Sequence, residues 1–286
     1  MTTGAGVQAA FEAAARARVT MVVGASDTGK TTLTAVLASA LAARGERVAA
    51  VDADLGQSEI GPPTTVGLGR VPGALARLGD VEVLALEFVG STSPARAVRQ
   101  TAEATGALVE RARGAGFERI VVDTSGLVAG PFGRWLKRAK IDLVRPDLVV
   151  VVERGQEGQA IAHEASLRPD LVVLRVSAAA GVRRRWQDER RRHRADALAA
   201  YFATAAALSV GALAVRRLDA RATPVALGPD DAGLLVGVHD AAGQTRGIGR
   251  ILGVDANRQT LVLATPVAAD VVAGLTVGRE RYGADR

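Results

Sequence analysis

Residues 18–45, "RVTMVVGASDTGKTTLTAVLASALAARG", constrain this chain more than any other stretch. A β-branched apolar run meets an alanine-rich run across "GASDTGKT" (Gly24 to Thr31), which fits G-x-x-x-x-G-K-[ST] without a mismatch. Such a join predicts a strand, a glycine-bearing turn and a helix, set in a parallel sheet. The turn suits an oxyanion. Gly24 and Gly29 let the backbone of Ala25, Ser26, Asp27 and Thr28 wrap with its N–H groups inward, and the helix N-terminus adds partial positive charge. Lys30 is expected to reach the β- and γ-phosphates of a nucleoside triphosphate and the Thr31 hydroxyl to ligate Mg²⁺, with Thr32 beside them. A guanine site usually needs an N-K-x-D-type run just after a late strand. The nearest match, "AKID" (Ala139 to Asp142), precedes one. "DTSG" at Asp123 to Gly126 fits the D-x-x-G of a GTPase switch, but with the guanine reader missing, ATP is the expected nucleotide.

The first two-thirds of the chain repeats this strand-then-helix texture. Strands are predicted at 18–24, 47–54, 81–90, 119–126, 147–153 and 170–177, with helices between them, two opening at Gly29 and Pro94. Continuous β-branched runs joined by helical crossovers predict a P-loop NTPase-type α/β fold, with a doubly wound, mostly parallel sheet covered on both faces. After about residue 203 short strand-like pieces separated by Gly, Asp and Asn predict a small β-rich C-terminal domain. The expected division is a helix over 1–17, a core over 18–180, an arginine-rich lid helix over 181–202 and the β-rich part over 203–286. Zero cysteines exclude disulfides and thiolate metal sites, and three histidines argue against a zinc enzyme. No apolar run approaches the roughly 18 residues of a membrane span, and the N-terminus lacks the order of a signal peptide, so a cytoplasmic protein is expected. The net charge of +6 is compatible with a polyanionic partner.

The second apolar strand runs into "VDADLGQSEIGPP" (Val51 to Pro63). At the carboxyl edge of a parallel sheet Asp52 and Asp54 face a bound nucleotide, and period-two alternation points them to one side. One is suited to holding a Mg²⁺ water, the other to taking a proton from an acceptor hydroxyl, with Gln57 as a neutral hydrogen-bonding group. A merely polar strand end is the alternative. Asp123 closes another apolar strand as a carboxylate of the kind that backs a Mg²⁺ ion, and Thr124 and Ser125 are placed to orient phosphate or substrate. "VRRRWQDERRRHRADALAAYF" carries seven arginines between Arg183 and Arg194. Arg190 and Arg194 stand four apart and share a helix face, with Arg191 beside them. A solvated surface helix is one reading; a lid that brings cations over a transferred phosphoryl group is the other.

Together these pieces resemble the polynucleotide 5′-hydroxyl kinase family, which includes the kinase subunit of eukaryotic pre-mRNA cleavage factor and a pre-rRNA processing kinase. The resemblance rests on "GASDTGKTT", "VDADLGQSEIGPP", "FVGSTSP" (Phe88 to Pro94), "VVDTSG", "LKRAKIDLVRPDLVVVVER" and the arginines ahead of "YF". It implies ATP and Mg²⁺ at Lys30 and Thr31, Asp54 as base for the 5′-hydroxyl of an RNA or DNA end, and Asp52 and Gln57 in the same pocket. It further implies that Thr124, Ser125 and Gly126 clasp the terminal nucleotide and that Arg190 and Arg194 form the lid pair. One departure stands out: the family often has a stacking tryptophan where this chain has Leu127. Trp135 and Trp186 are the available tryptophans. A P-loop ATPase switch without a polynucleotide substrate, a scaffold that holds ATP structurally and a small-molecule kinase are the alternatives.

Overall fold

The computed structural model describes residues 4–179, 181, 183, 186–211, 216–218, 226–255 and 260–283. Arg184 and Arg185 of the arginine run, and residues 256–259, lie outside the described residues.

The chain opens with α1 (Gly4–Ala14), β1 (Val19–Gly24), α2 (Lys30–Ala42), β2 (Val48–Ala53), β3 (Thr65–Arg70) and β4 (Glu82–Phe88). It continues through α3 (Val98–Gly114), β5 (Arg119–Thr124), α4 (Gly130–Val144), β6 (Leu148–Glu153), α5 (Gln159–Ser166) and β7 (Val172–Ser177). Strands β7, β6, β1, β5 and β2 lie side by side and all pair in parallel. Every residue of β1, β2 and β6 is buried, the mark of strands covered on both faces. Alternate side chains feed two cores. Met21, Val51 and Val122 meet Leu108 and Val109 of α3, Ile141 of α4 and Ile161 of α5. Val22, Ala50 and Val150 meet Ala10 of α1 and Leu33 and Leu37 of α2.

Beyond β2 the sheet departs from the expected run of crossovers. β3 pairs antiparallel with β2, and β4 antiparallel with β3. The composition of β3 hides it: Gly67 and Gly69 weaken a strand pattern. The glycine is required, because a Cβ at Gly67 would stand 2.0 Å from the carbonyl oxygen of Ile60.

The remaining elements are α6 (Gln187–Phe202), β8 (Ala206–Gly211), β9 (Arg216–Leu218), β10 (Leu234–His239), β11 (Thr245–Asp255), β12 (Thr260–Thr265) and β13 (Gly274–Arg281). β10 pairs antiparallel with β11 and β13, and β12 with β11 and β8. β11 also meets the core edge, where Thr245 stands opposite Leu86 of β4, so core and C-terminal strands form one continuous sheet. α6 lies against this junction. Its Leu198 packs on Leu235 and Ile248, the Tyr201 hydroxyl accepts from the Ile248 N–H at 2.9 Å, and Phe202 stacks on Tyr282. The C-terminal strands therefore brace the arginine-bearing helix.

Candidate active site

The site is a cleft of about 440 Å³ at the carboxyl ends of the parallel strands, the usual ligand position in an open α/β sheet. Its floor is the loop between β1 and α2. Asp27 and Gly29 adopt left-handed conformations there (φ 57° and 86°), which turns the loop around its N–H groups. No side chain fits at Gly24, whose Cβ would stand 2.2 Å from the Val152 carbonyl oxygen. Lys30 Nζ donates to Ala25 O at 2.6 Å, and burial lowers its pKa against the pull of Asp123, Asp54 and Asp27. Ser26, Asp27, Gly29, Lys30, Thr31 and Thr32 line the cleft, whereas Thr28 is buried and its hydroxyl donates to Ala25 O.

Thr31 and Asp123 meet directly, the hydroxyl donating to Asp123 Oδ2 at 2.6 Å. A hydroxyl whose proton is so held turns its lone pairs outward, as a Mg²⁺ ligand must. Among the described residues no group of three His, Asp or Glu side chains gathers to hold a metal ion by itself. The loop, Lys30 and the Thr31–Asp123 pair thus fit a Mg²⁺-bound triphosphate. Burial raises the Asp123 carboxyl to about 6, with Lys30 and the Thr31 hydroxyl opposing.

The two aspartates of D-x-D part company. β2 ends at Ala53, so period-two alternation no longer governs Asp54. Asp54 lines the cleft, and its Oδ1 accepts from the N–H groups of Gly56 and Gln57, both at 3.1 Å. Among the described residues no hydrogen bond reaches its Oδ2. Asp52 is buried beneath: Oδ1 accepts from Asp54 N at 2.9 Å, and Oδ2 from Glu59 N at 2.6 Å and Ile60 N at 3.1 Å. Both of its oxygens hold the turn, which differs from the expected metal or substrate contact. Burial first, then the Asp123 charge, raise the Asp52 carboxyl to about 8. The "FVGSTSP" motif backs this turn, with Thr92 O 2.9 Å from the Cβ position of Gly56.

On the other wall, Gly126 faces the phosphate loop so closely that a Cβ would stand 2.5 Å from Ser26 N. Ser125 is buried, and its hydroxyl has no hydrogen-bond partner among the described residues. Thr124 is turned away from the cleft, because its hydroxyl donates to Val22 O at 2.8 Å and ties β5 to β1. Leu127 is half-buried, while Trp135 and Trp186 are exposed and do not line the cleft.

α6 forms the roof. Arg190 donates to Asp27 Oδ2 at 2.7 Å, and Gln57 Nε2 donates to Arg190 O at 3.2 Å. Arg194 packs its Cδ 3.9 Å from the Cβ position of Gly56. Arg191 is exposed and does not line the cleft, since it falls on the outer side of the helix. Glu59, Arg183 and His193 line the cleft and escaped the sequence reading. For His193 a signal existed: it lies three residues after Arg190, on the same helix face. Two fully buried lysines, Lys137 and Lys140, also stand behind the site. Their sequence signals were three-residue spacing beside Leu136 and Ile141 and their place in the "LKRAKIDLVRPDLVVVVER" motif, which assigned neither of them a role.

A parallel sheet with a phosphate loop at its switch point and a cationic helix across the opening defines a nucleotide-binding P-loop protein of the kinase fold. Residues 24–204 match the family model of the mRNA cleavage and polyadenylation factor CLP1 P-loop, and the chain belongs to that family. It is 35% identical over 182 residues to a polyribonucleotide 5′-hydroxyl-kinase of Thermococcus kodakarensis, covering 64% of this chain and 50% of the relative. It is 36% identical over 189 residues to one of Pyrococcus furiosus, covering 66% and 52%. The chain therefore spans about half the length of these curated relatives. Its fold is similar to that in the wild-type Clp1p–Pcf11p (454–563) complex, with a TM-score of 0.74 at 14% identity over 96% of this chain and 79% of that one. Among the described residues no helix is long and apolar enough to cross a membrane.

Proposed function

We propose that this chain transfers the γ-phosphoryl group of ATP to the 5′-hydroxyl end of a polynucleotide, RNA foremost. One observation carries the reading: Lys30 of the phosphate loop, Asp54, whose Oδ2 takes no hydrogen bond among the described residues, and Arg190 of the roof all line one cleft. The relatives named polyribonucleotide 5′-hydroxyl-kinase support RNA as acceptor. Asp54 takes the proton of the 5′-hydroxyl as its oxygen attacks the γ-phosphorus in line, and ADP departs. Lys30, Arg190 and Arg194 balance the charge on the transferred oxygens, which is most of what phosphoryl transfer asks of a protein. Mg²⁺, held by Thr31 and backed by Asp123, would neutralise charge on the phosphate oxygens. Asp52 fixes the Asp54 turn, and Ser125 and Gly126 bound the acceptor. Residues 18–180 form the core, 181–202 the lid and 203–286 its brace.

The Arg190–Asp27 ion pair favours a second reading, an ATPase switch whose lid is released by nucleotide. The two are separated by incubating the protein with γ-labelled ATP, Mg²⁺ and matched 5′-hydroxyl RNA and DNA oligonucleotides, beside Asp54→Asn. Label at the 5′ end that vanishes in the variant supports the kinase. Released phosphate without labelled polynucleotide supports the switch.

A further inference from the structure

Lys137 and Lys140 are both 0% exposed, and neither forms an ion pair among the described residues. Three residues apart on α4, they share its inner face with Gly133, Leu136, Ile141 and Val144. Burying a lysine amine without a directly paired carboxylate is unfavourable, and a methionine would fill nearly the same space without that cost. Folding alone gives no reason for two.

Their contacts supply one. Lys137 Nζ donates to Ser125 O at 2.6 Å and to Thr124 Oγ1 at 3.1 Å. Lys140 Nζ donates to Ala53 O at 3.1 Å. Ser125 immediately precedes Gly126, which touches Ser26 of the phosphate loop, and Ala53 immediately precedes Asp54. A single rigid helix thus grips both strand ends that form the acceptor side of the cleft. The charges also face the right way. Burial lowers Lys140 to about 8, while Asp54 first, then Asp52 and Asp123, favour its charged form. Burial and then the neighbouring Lys140 lower Lys137 further.

We propose that Lys137 and Lys140 are positioning residues for phosphoryl transfer, pinning the carbonyls of Ser125 and Ala53 so that Gly126 and Asp54 stand in register with the phosphate loop. This rests on the kinase reading above. Lys140 acts through Asp54 and governs turnover; Lys137 acts through the 125–127 segment and governs acceptor binding.

The test compares Lys137→Met and Lys140→Met in the whole chain by thermal melting, ATP affinity, backbone hydrogen exchange and steady-state transfer to a 5′-hydroxyl RNA oligonucleotide. The melting temperature should change little, because relief of a buried amine is offset by the loss of its hydrogen bonds to Ser125 O, Thr124 Oγ1 or Ala53 O, and ATP affinity should not change. Exchange should quicken at 54–57 in Lys140→Met and at 125–127 in Lys137→Met. Lys140→Met should lose about a hundredfold in kcat, the scale of a misplacement near 1 Å. Lys137→Met should raise KM for RNA about tenfold, the scale of losing one buried hydrogen bond. Wild-type exchange and kinetics in both variants overturn the proposal, as do losses that follow a fallen melting temperature. Should either methionine variant fail to fold, Lys→Gln at the same position is judged by the same criteria. If the wild type labels no RNA, the kinase reading fails, and the exchange measurements still decide whether the lysines hold the two segments.

Discussion

Gly126→Ala isolates the fit between the two walls of the cleft. Gly126 is not one of the glycines held at positive φ, so no left-handed backbone bars alanine and the added methyl is what matters. That methyl would stand 2.2 Å from Ser26 Oγ, which can rotate aside, but also 2.5 Å from Ser26 N and 2.6 Å from Ser26 Cα, where ordinary contact begins at 3.4 Å. The obstacle is backbone, which cannot rotate aside as a side chain can. The phosphate loop and the 125–127 segment must therefore separate by about 0.9 Å. A shift of that size between the bound triphosphate and its acceptor costs about a hundredfold in rate, or about 2.7 kcal/mol of activation free energy. The same overpacking should cost about 1–3 kcal/mol of folding stability. The assay is kcat for transfer at saturating ATP and RNA, with urea unfolding run beside it to confirm that the variant is folded. A folded variant with wild-type kcat would refute the claim that this contact sets the donor–acceptor distance.

Three further outcomes follow from the site. Asp54→Asn keeps the turn's hydrogen-bonding oxygen but loses the base, so ATP should bind as in wild type while turnover falls by about 10²–10⁴; wild-type turnover would remove Asp54 from that role. Arg190→Ala and Arg194→Ala should each lower kcat more than ATP affinity, as for cations that act on developing charge, and unchanged kinetics in both would sink the lid. The pH dependence of stability follows from Asp52, whose carboxyl is raised to about 8 in the folded protein from an ordinary value near 3.8. Between those values the folded state keeps a proton that the unfolded chain has released, so Asp52 makes stability fall as pH rises from about 4 to about 8. In Mg²⁺-free urea titrations across that window, Asp52→Asn should show a less negative slope than wild type; an equal or steeper decline would contradict the shift.

How much of this was legible in the sequence depended on whether a feature is local. The phosphate loop was, because a strand, a glycine-bounded turn and a helix must follow one another in a fixed number of residues. The parallel core was too, since strands buried on both faces read as unbroken β-branched runs. β3 was not: its glycines are demanded by contacts such as that of Gly67 with Ile60, which no local pattern records. The D-x-D pair shows the same divide within three residues. The sequence placed both carboxylates at a strand end, but only the fold ends β2 at Ala53, burying Asp52 as the anchor of the turn and leaving Asp54 in the cleft. Thr124 likewise reads as a site residue until Val22 is seen to take its hydroxyl. Lys137 and Lys140 lie in the "LKRAKID" stretch with no role written there, and only burial of that helix face beneath two strand ends places them behind the site. Sequence by itself determined that this chain carries a phosphate loop, because such a loop is written in backbone conformation over a few adjacent residues. Tertiary structure alone decided which carboxylate faces the cleft and which lysines stand behind it, because burial and direction arise from elements far apart in the chain.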